Sequence, residues 1–377
     1  MNKLFLLFFL SLICFACGND PQTDETTAPT TTVISPPAKP ATTKLTANID
    51  HLRLRAEAGT SGETVTMLQK GDVMYDLGEV SDFTTKVELR GVKYDEPWLK
   101  VKTADGQTGW VYAGGVYFDP TEASDLIDQI LRKRLASFYG EATAKEIADY
   151  QNAYARARSD REFAAALRKA DKVITEINKA SENSTLGVHI LDSDKKPDIR
   201  WLRQSFPGYR LGSAAEGTIL YLYRDFKQMQ DKAGQTKGKA DDDYLNLEML
   251  VHAADSIEYF YPSYFMQTWD YGGFSLLGEG KHLAILEKAN ETMAKHPGIF
   301  DTEINKIKDD LVHDMTAAPE GYWYEKSRIL SEFDKIMKAE LGILTKKDKI
   351  ALSAQRNRLE NPAANNIKVG MRSGISS

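Results

Sequence analysis

Residues 52–77 read LRLRAEAGTSGETVTMLQKGDVMYDL, and this stretch is the clearest indication of the chain's architecture. Apolar and polar residues alternate in Leu52–Arg55 and again in Val73–Leu77, which is the period of a half-buried β-strand. Turn signals at Gly59–Gly62 and Lys70–Asp72 separate the apolar runs. The stretch therefore predicts several short strands joined by tight turns.

The alternating pattern continues further along the chain. Trp98–Lys102 alternates once more, Ala104–Gly106 is another turn signal, and Gly109–Tyr112 closes the series. Many short strands in so short a segment are typical of a small β-barrel. We therefore predict a barrel over residues 45–118.

In their order and spacing, these motifs resemble the bacterial SH3 (SH3b) domain. One difference is an extra stretch, Phe83–Glu96, whose sequence predicts an extended hairpin that turns at Arg90-Gly91. SH3b domains are generally taken to bind cell-wall peptides or other extended ligands, so the resemblance implies binding rather than chemistry. We expect the extra stretch to reshape the rim of any binding groove.

Four aromatic residues of the predicted barrel are candidates for contacting a ligand. Aromatic faces bury a large area at a low entropic cost, and they suit an extended peptide or glycan. The same side chains could instead fill the barrel core, which is the favoured alternative for Trp110. The candidates are Tyr75, Trp98, Trp110 and Tyr112.

The start of the chain has the layout of an export signal. Lys3 precedes the apolar run Leu4–Ala16, which is too short for a stable membrane span. Cys17 follows the small Ala16, and this arrangement resembles the lipobox of bacterial lipoproteins. The resemblance implies cleavage before Cys17, a lipid on that cysteine, and a protein held at a membrane in the periplasm or at the cell surface. An ordinary cleaved signal, with Cys17 as a leftover thiol, is the alternative.

The composition and net charge of the chain argue against several classes of protein function. The chain has 377 residues, of which 42% are hydrophobic and 27% charged, and its net charge is −6. These values are typical of globular protein and argue against nucleic-acid binding. The two cysteines are Cys17 and Cys14, which stands where a lipobox usually has leucine. With cleavage before Cys17, the folded part has no disulfide, thiolate metal site or cysteine nucleophile.

The remaining segments differ in composition. Residues 17–44 are rich in Thr and Pro and predict a lipidated, semi-extended tether after a signal peptide at 1–16. Apolar residues at helical spacing predict an all-α domain over 119–360, and small polar residues predict a disordered tail over 361–377. The predicted fold is therefore multidomain: a small all-β SH3-like barrel followed by an all-α helical bundle.

Polar residues of the helical segment could form a metal site. Glu248, His252 and Asp255 have the spacing of one helix face, and Asp310 and His313 have that of another. Paired Glu-x-x-His motifs are absent, and a solvated polar face or satisfied buried histidines account for the same residues. We predict no metal and no cofactor.

The most unusual loop runs from Trp269 to His282. Its glycines permit close approach of the backbone, and Asp270, Glu279 and His282 could form a pocket with its aromatic residues. A long interhelical loop with structural glycines is the alternative reading of the same sequence.

The sequence favours a non-catalytic envelope lipoprotein, anchored to a membrane by its N-terminal lipid. Its SH3b barrel would bind a cell-wall peptide or glycan, or an envelope protein, and its helical domain would serve as a scaffold or docking domain. The alternative is a cell-wall hydrolase, because SH3b domains often accompany such enzymes. Without a cysteine nucleophile or a zinc ligand set, that alternative needs a lysozyme-like helical domain with Glu279 as the general acid.

Overall fold

A computed structural model gives the fold of the chain. The predicted signal peptide, the lipid site at Cys17 and almost all of the predicted tether lie outside the residues that it describes. The described residues are 43–89, 91–119, 122–182, 205–214, 219–252, 261–268, 272–317 and 321–374.

The first part of the described chain is a curled antiparallel sheet, an SH3-like half-barrel. Its strands are β1 (Lys44–Ala47), β2 (Leu52–Arg55), β3 (Thr64–Leu68), β4 (Val73–Leu89), β5 (Val92–Thr103), β6 (Thr108–Tyr112) and β7 (Val116–Phe118). Neighbouring strands follow the order β3-β2-β6-β5-β4-β1-β7. The prediction of a small all-β SH3-like unit is confirmed.

Alternation along each strand places one face in the core. In β2, Leu52 and Leu54 are buried whereas Arg53 is exposed. Strand β6 approaches β2 so closely that a Cβ at Gly109 would lie 2.5 Å from the carbonyl oxygen of Arg55. Glycine at this position therefore allows the two strands to pair.

The extra stretch forms the outer part of the β4–β5 hairpin, as the sequence predicts. Leu89 pairs with Val92 beside the turn, where Gly91 has a φ of +75°. The register of β4 shifts twice before Thr84, and such irregularities bend a strand. The Thr84 hydroxyl donates a hydrogen bond to Ser137 Oγ at 2.8 Å, which joins the hairpin to the first helix.

Helices dominate the described chain after the barrel, which confirms the predicted helical domain. Those of eight or more residues are α1 (Ser124–Tyr139), α2 (Glu141–Arg156), α3 (Asp160–Glu182), α4 (Phe226–Ala233), α5 (Ala240–Val251), α6 (Lys281–Lys295), α7 (Asp301–Ala317), α8 (Lys326–Lys338) and α9 (Lys346–Arg358). None of the described helices combines the length and apolarity needed to cross a membrane.

Two hairpins interrupt the helices, and the sequence did not predict them. Strands β8 (Tyr209–Ala214) and β9 (Ile219–Arg224) form one, and β10 (Phe265–Gln267) and β11 (Gly273–Ser275) form the other. Strand β9 reads ILYLYR, and the period of so short an apolar run does not separate a strand from a helix.

Helix α1 belongs to two hydrophobic cores. Leu126 and Ile130 pack into the core of the barrel, whereas Leu135 packs into the core of the helical region. The Arg134 guanidinium pairs with Glu96 of β5, which is only 1% exposed. The barrel core therefore extends past residue 118 into the first helix.

The end of the chain pairs with the backbone of residues 322–324. The carbonyl of Lys368 accepts a hydrogen bond from the Tyr322 N–H, and the Gly370 N–H donates to the Tyr324 carbonyl, both at 2.9 Å. A short helix, α10 (Met371–Gly374), follows. These residues belong to the segment 361–377, for which composition predicts disorder.

Candidate functional site

A groove of about 760 Å³ beside the barrel is the candidate ligand site. Residues 78–83 of β4 line it together with Trp110 of β6 and the side of α1 that faces them. The bend in β4 and the packing of α1 against the hairpin therefore create this groove. Its charged lining residues are Glu79, Asp82, Arg132, Lys133 and Glu141.

Two aromatic side chains give the groove an apolar surface. Phe83 is 49% exposed, and Trp110 is half-buried. The ammonium of Lys100 lies 5.8 Å from the centroid of the Trp110 ring and 2.7 Å from Glu79 Oε1. Exposed aromatic faces with charged groups beside them can hold an extended, partly charged ligand.

The groove carries both signs of charge. Lys133 Nζ lies 2.9 Å from Asp82 Oδ1, and this hydrogen bond lowers the pKa of Asp82 below its usual value. Asp82 is therefore ionised at neutral pH. A ligand with amino and carboxylate groups of its own would find a partner for each.

The structure brings only one of the four predicted contact residues into this groove. Trp110 lines it, although core filling was its favoured role, and Phe83 was not predicted. Trp98 and Tyr112 are 3% and 5% exposed, and Tyr75 is 42% exposed but does not line the groove. Phe83 is the first residue of the extra stretch, and this position was the feature of the sequence that could have indicated a contact with the ligand.

Trp98 and Tyr112 form a buried group that we call the Trp98–Tyr112 pair, on the opposite face of the sheet from the core residues Leu99 and Val111. Their rings meet edge to face with centroids 5.4 Å apart. Trp98 Nε1 donates to Thr85 Oγ1 at 2.9 Å, and the Tyr112 hydroxyl donates to the Thr85 carbonyl at 2.6 Å. Burial raises the pKa of Tyr112. These contacts fit a structural role better than ligand binding.

The residues considered for a metal do not all come together in the described structure. Glu248 and His252 line one cavity, with His252 directly after the end of α5 at Val251. Asp310 pairs with Lys306 at 2.6 Å on α7, and Asp255 lies outside the described residues. Within the stretches that the structure describes, no group of three or more His, Cys, Asp or Glu residues could hold a metal ion.

The loop that ends at His282 is described from Gly272 onward, so Trp269 and Asp270 are outside the structure. His282 is fully buried, and its Nε2 lies 2.8 Å from Asp314 Oδ2. Glu279 is exposed and forms an ion pair with Lys281 at 3.3 Å. The two side chains therefore do not form one polar pocket.

A curled sheet of short antiparallel strands with a groove at its side defines a small SH3-like binding module. Residues 50–117 match the family model described as "Bacterial SH3 domain", which confirms the resemblance for this part of the chain. The rest of the chain has no family match. No curated protein and no solved structure matches the chain. The bacterial SH3 match supports cell-wall binding in general.

Proposed function

We propose that this protein is a non-catalytic lipoprotein of the bacterial envelope whose barrel groove binds the peptide part of the cell wall. The groove lined by Phe83 and Trp110 carries this proposal, because it lies between the bacterial SH3 domain and α1 and has both apolar and charged surface. In the proposal, Cys17 bears the lipid, residues 17–44 span from the membrane to the barrel, and the helical region docks an envelope partner.

The choice of a peptide over a glycan rests on the charges of the groove. Wall peptides carry free amino and carboxylate groups, which can form ion pairs with charged side chains of the groove. A neutral sugar chain carries no charge and can form only hydrogen bonds with them. Asp82 and Lys133 already pair with each other, and the ligand would exchange this exposed contact for its own. Exposed ion pairs contribute only about 0–1 kcal/mol, so the exchange costs little.

Sedimentation with purified peptidoglycan tests the proposed groove. The chain from residue 18 onward should co-sediment, and Phe83→Ser or Trp110→Ala should weaken binding about tenfold, as aromatic contact residues often do. Tyr117→Ser is the matched control, because Tyr117 is 57% exposed on β7 and does not line the groove. Equal binding by both groove variants, or no binding by the unaltered chain at low salt, would contradict the proposal.

The lipid anchor has a separate readout. Mass spectrometry of the exported protein should find acyl chains on Cys17 as the new N-terminal residue. An unmodified N-terminus on protein released from the cells would refute the anchor and leave the groove proposal standing.

The hydrolase alternative makes a different prediction, a clearing band in a peptidoglycan zymogram that Glu279→Gln abolishes. A general-acid carboxylate is usually set among apolar groups. Glu279 is instead exposed beside Lys281, and we therefore prefer binding.

A further inference from the structure

A second cavity, of about 240 Å³, lies within the helical region. Its lining comes from α3, the β8–β9 hairpin, the start of α4 and the end of α5, and it mixes aromatic, aliphatic and charged side chains. The residues that matter for its chemistry are Asp171, Tyr209, Tyr223, Arg224, Glu248 and His252.

The guanidinium of Arg224 forms ion pairs with two carboxylates in this cavity. Arg224 Nη2 lies 2.9 and 3.0 Å from the two oxygens of Asp171, and its Nη1 bonds Glu248 Oε1. The Tyr244 hydroxyl also donates to Glu248 Oε1, at 2.6 Å. The Arg224 and Tyr244 bonds therefore converge on a single oxygen of Glu248.

The other oxygen of Glu248 has no hydrogen-bond partner among the described residues, and neither does Nδ1 of His252. Both atoms are buried, and Glu248 as a whole is only 7% exposed. A buried polar atom without a partner costs about 1–3 kcal/mol. Two such atoms beside one cavity point to a donor that the described residues do not supply.

The charged groups around the cavity indicate whether a ligand that donates these hydrogen bonds would be an anion or a cation. Burial lowers the pKa of His252, which is therefore neutral at pH 7, and the nearby Lys306 already pairs with Asp310. Two carboxylates and one guanidinium leave the lining with one excess negative charge. An anionic ligand would meet this charge unfavourably, whereas a cation would balance it.

We propose that the cavity binds a small organic cation, a protonated primary amine. The ammonium would donate to Glu248 Oε2 and to Nδ1 of His252, and the rings of Tyr209 and Tyr223 would contact its carbon chain and its charge. The volume suits a body of only a few carbon atoms. This site is independent of the barrel groove, and neither proposal depends on the other.

Calorimetry with butylammonium chloride on the chain from residue 18 onward tests the amine site. At constant ionic strength, 1-butanol, which has the same shape and no charge, should bind at least about tenfold more weakly. Glu248→Gln should weaken butylammonium binding by at least about tenfold as well. Glu287→Gln, which alters an exposed carboxylate on α6, should leave it unchanged.

A crystal structure with butylammonium keeps the proposal testable if Glu248→Gln does not fold. The amine nitrogen should lie within hydrogen-bond distance of Glu248 Oε2, about 2.7–3.2 Å. No heat of binding at millimolar butylammonium, equal binding of 1-butanol, or an amine bound only elsewhere would each overturn the proposal.

Discussion

In the barrel, Trp98 and Tyr112 pack edge to face and share Thr85 as a hydrogen-bond partner. In the helical region, Arg224 and Glu248 also meet away from solvent, but one oxygen of Glu248 finds no donor among the described residues. The polar atoms of the two barrel rings have partners among the described residues, whereas Glu248 Oε2 and His252 Nδ1 of the helical cavity have none there.

The difference separates two uses of buried polar groups. A hydrogen-bond network with all its members satisfied fixes one arrangement of its neighbours and needs nothing more. An incomplete network loses free energy in the absence of a further partner, so it is a better place to look for a ligand. Three substitutions test this distinction, and they are ordered by the size of the expected effect.

Trp98→Ala should have the largest effect, because it removes the larger ring of the buried Trp98–Tyr112 pair. Trp98 is 3% exposed, and deletion of such a ring leaves a cavity and an unpaired Thr85 hydroxyl. We expect a loss of about 4 kcal/mol in the free energy of unfolding, measured by urea denaturation. Tyr117→Ala, on an exposed position, should change it by less than about 0.5 kcal/mol. A loss below about 1 kcal/mol for Trp98→Ala would show that the Trp98–Tyr112 pair is not structural.

Asp225→Asn tests the ion pair between Arg210 and Asp225, in which both carboxylate oxygens have a partner. Arg224 directly precedes Asp225 in sequence and pairs with Glu248, one oxygen of which has no partner among the described residues. Arg210 binds the two Asp225 oxygens at 2.7 and 3.1 Å, and this hydrogen bonding lowers the pKa of Asp225. Asp225 also caps α4 through the Gln228 N–H, a role that asparagine can fill.

The Asp225→Asn variant should be less stable than the parent chain by about 1 kcal/mol at pH 7. Because the folded pKa is lowered, the advantage of Asp225 is complete above the unfolded value of about 4 and disappears as the pH falls below the folded value. Urea denaturation between pH 7 and pH 3 measures how the free energy of unfolding of the parent chain and of the variant depends on pH. A difference that does not shrink on acidification would assign the effect to packing rather than to charge.

Glu248→Gln should have the smallest effect on stability when no ligand is present. Glutamine keeps an oxygen that can accept from Arg224 and Tyr244, and Arg224 keeps its ion pair with Asp171. The substitution also removes the charge shared by Oε2, which has no partner among the described residues. We expect a change of less than about 1 kcal/mol, or a small gain, in the free energy of unfolding. A loss of about 3 kcal/mol or more would mean that the chain already compensates this carboxylate, and the comparison with the Trp98–Tyr112 pair would fail.

Much of the barrel could be predicted from sequence, including the hairpin that turns at Gly91. Strand periodicity and glycine turns depend on contacts within a few residues, so they are visible in the linear pattern. The ligand contacts were harder to predict. Trp98 and Trp110 lie on neighbouring strands with similar surroundings in sequence, yet Trp98 is buried against Tyr112 and Trp110 lines the groove.

The helical region shows more clearly what the sequence alone could not predict. The loop before α6 is held by Glu332 of α8, which accepts hydrogen bonds from the N–H groups of Gly278 and Gly280 at 2.6 and 2.9 Å. Nothing in the local pattern around Glu332 distinguishes it from a surface glutamate. Its role follows from burial, since it is only 4% exposed.

The sequence by itself determined the order of the units, the strands of the bacterial SH3 domain and most of the helices, because alternation, helical spacing and turn residues act over short separations. Only the tertiary structure decided which side chains meet: α1 against the bent hairpin to form the groove, and Arg224 against Glu248 to form the cavity. Those pairings arise when faces that are merely apolar or polar in sequence select partners from distant parts of the chain, and no short-range pattern encodes that selection.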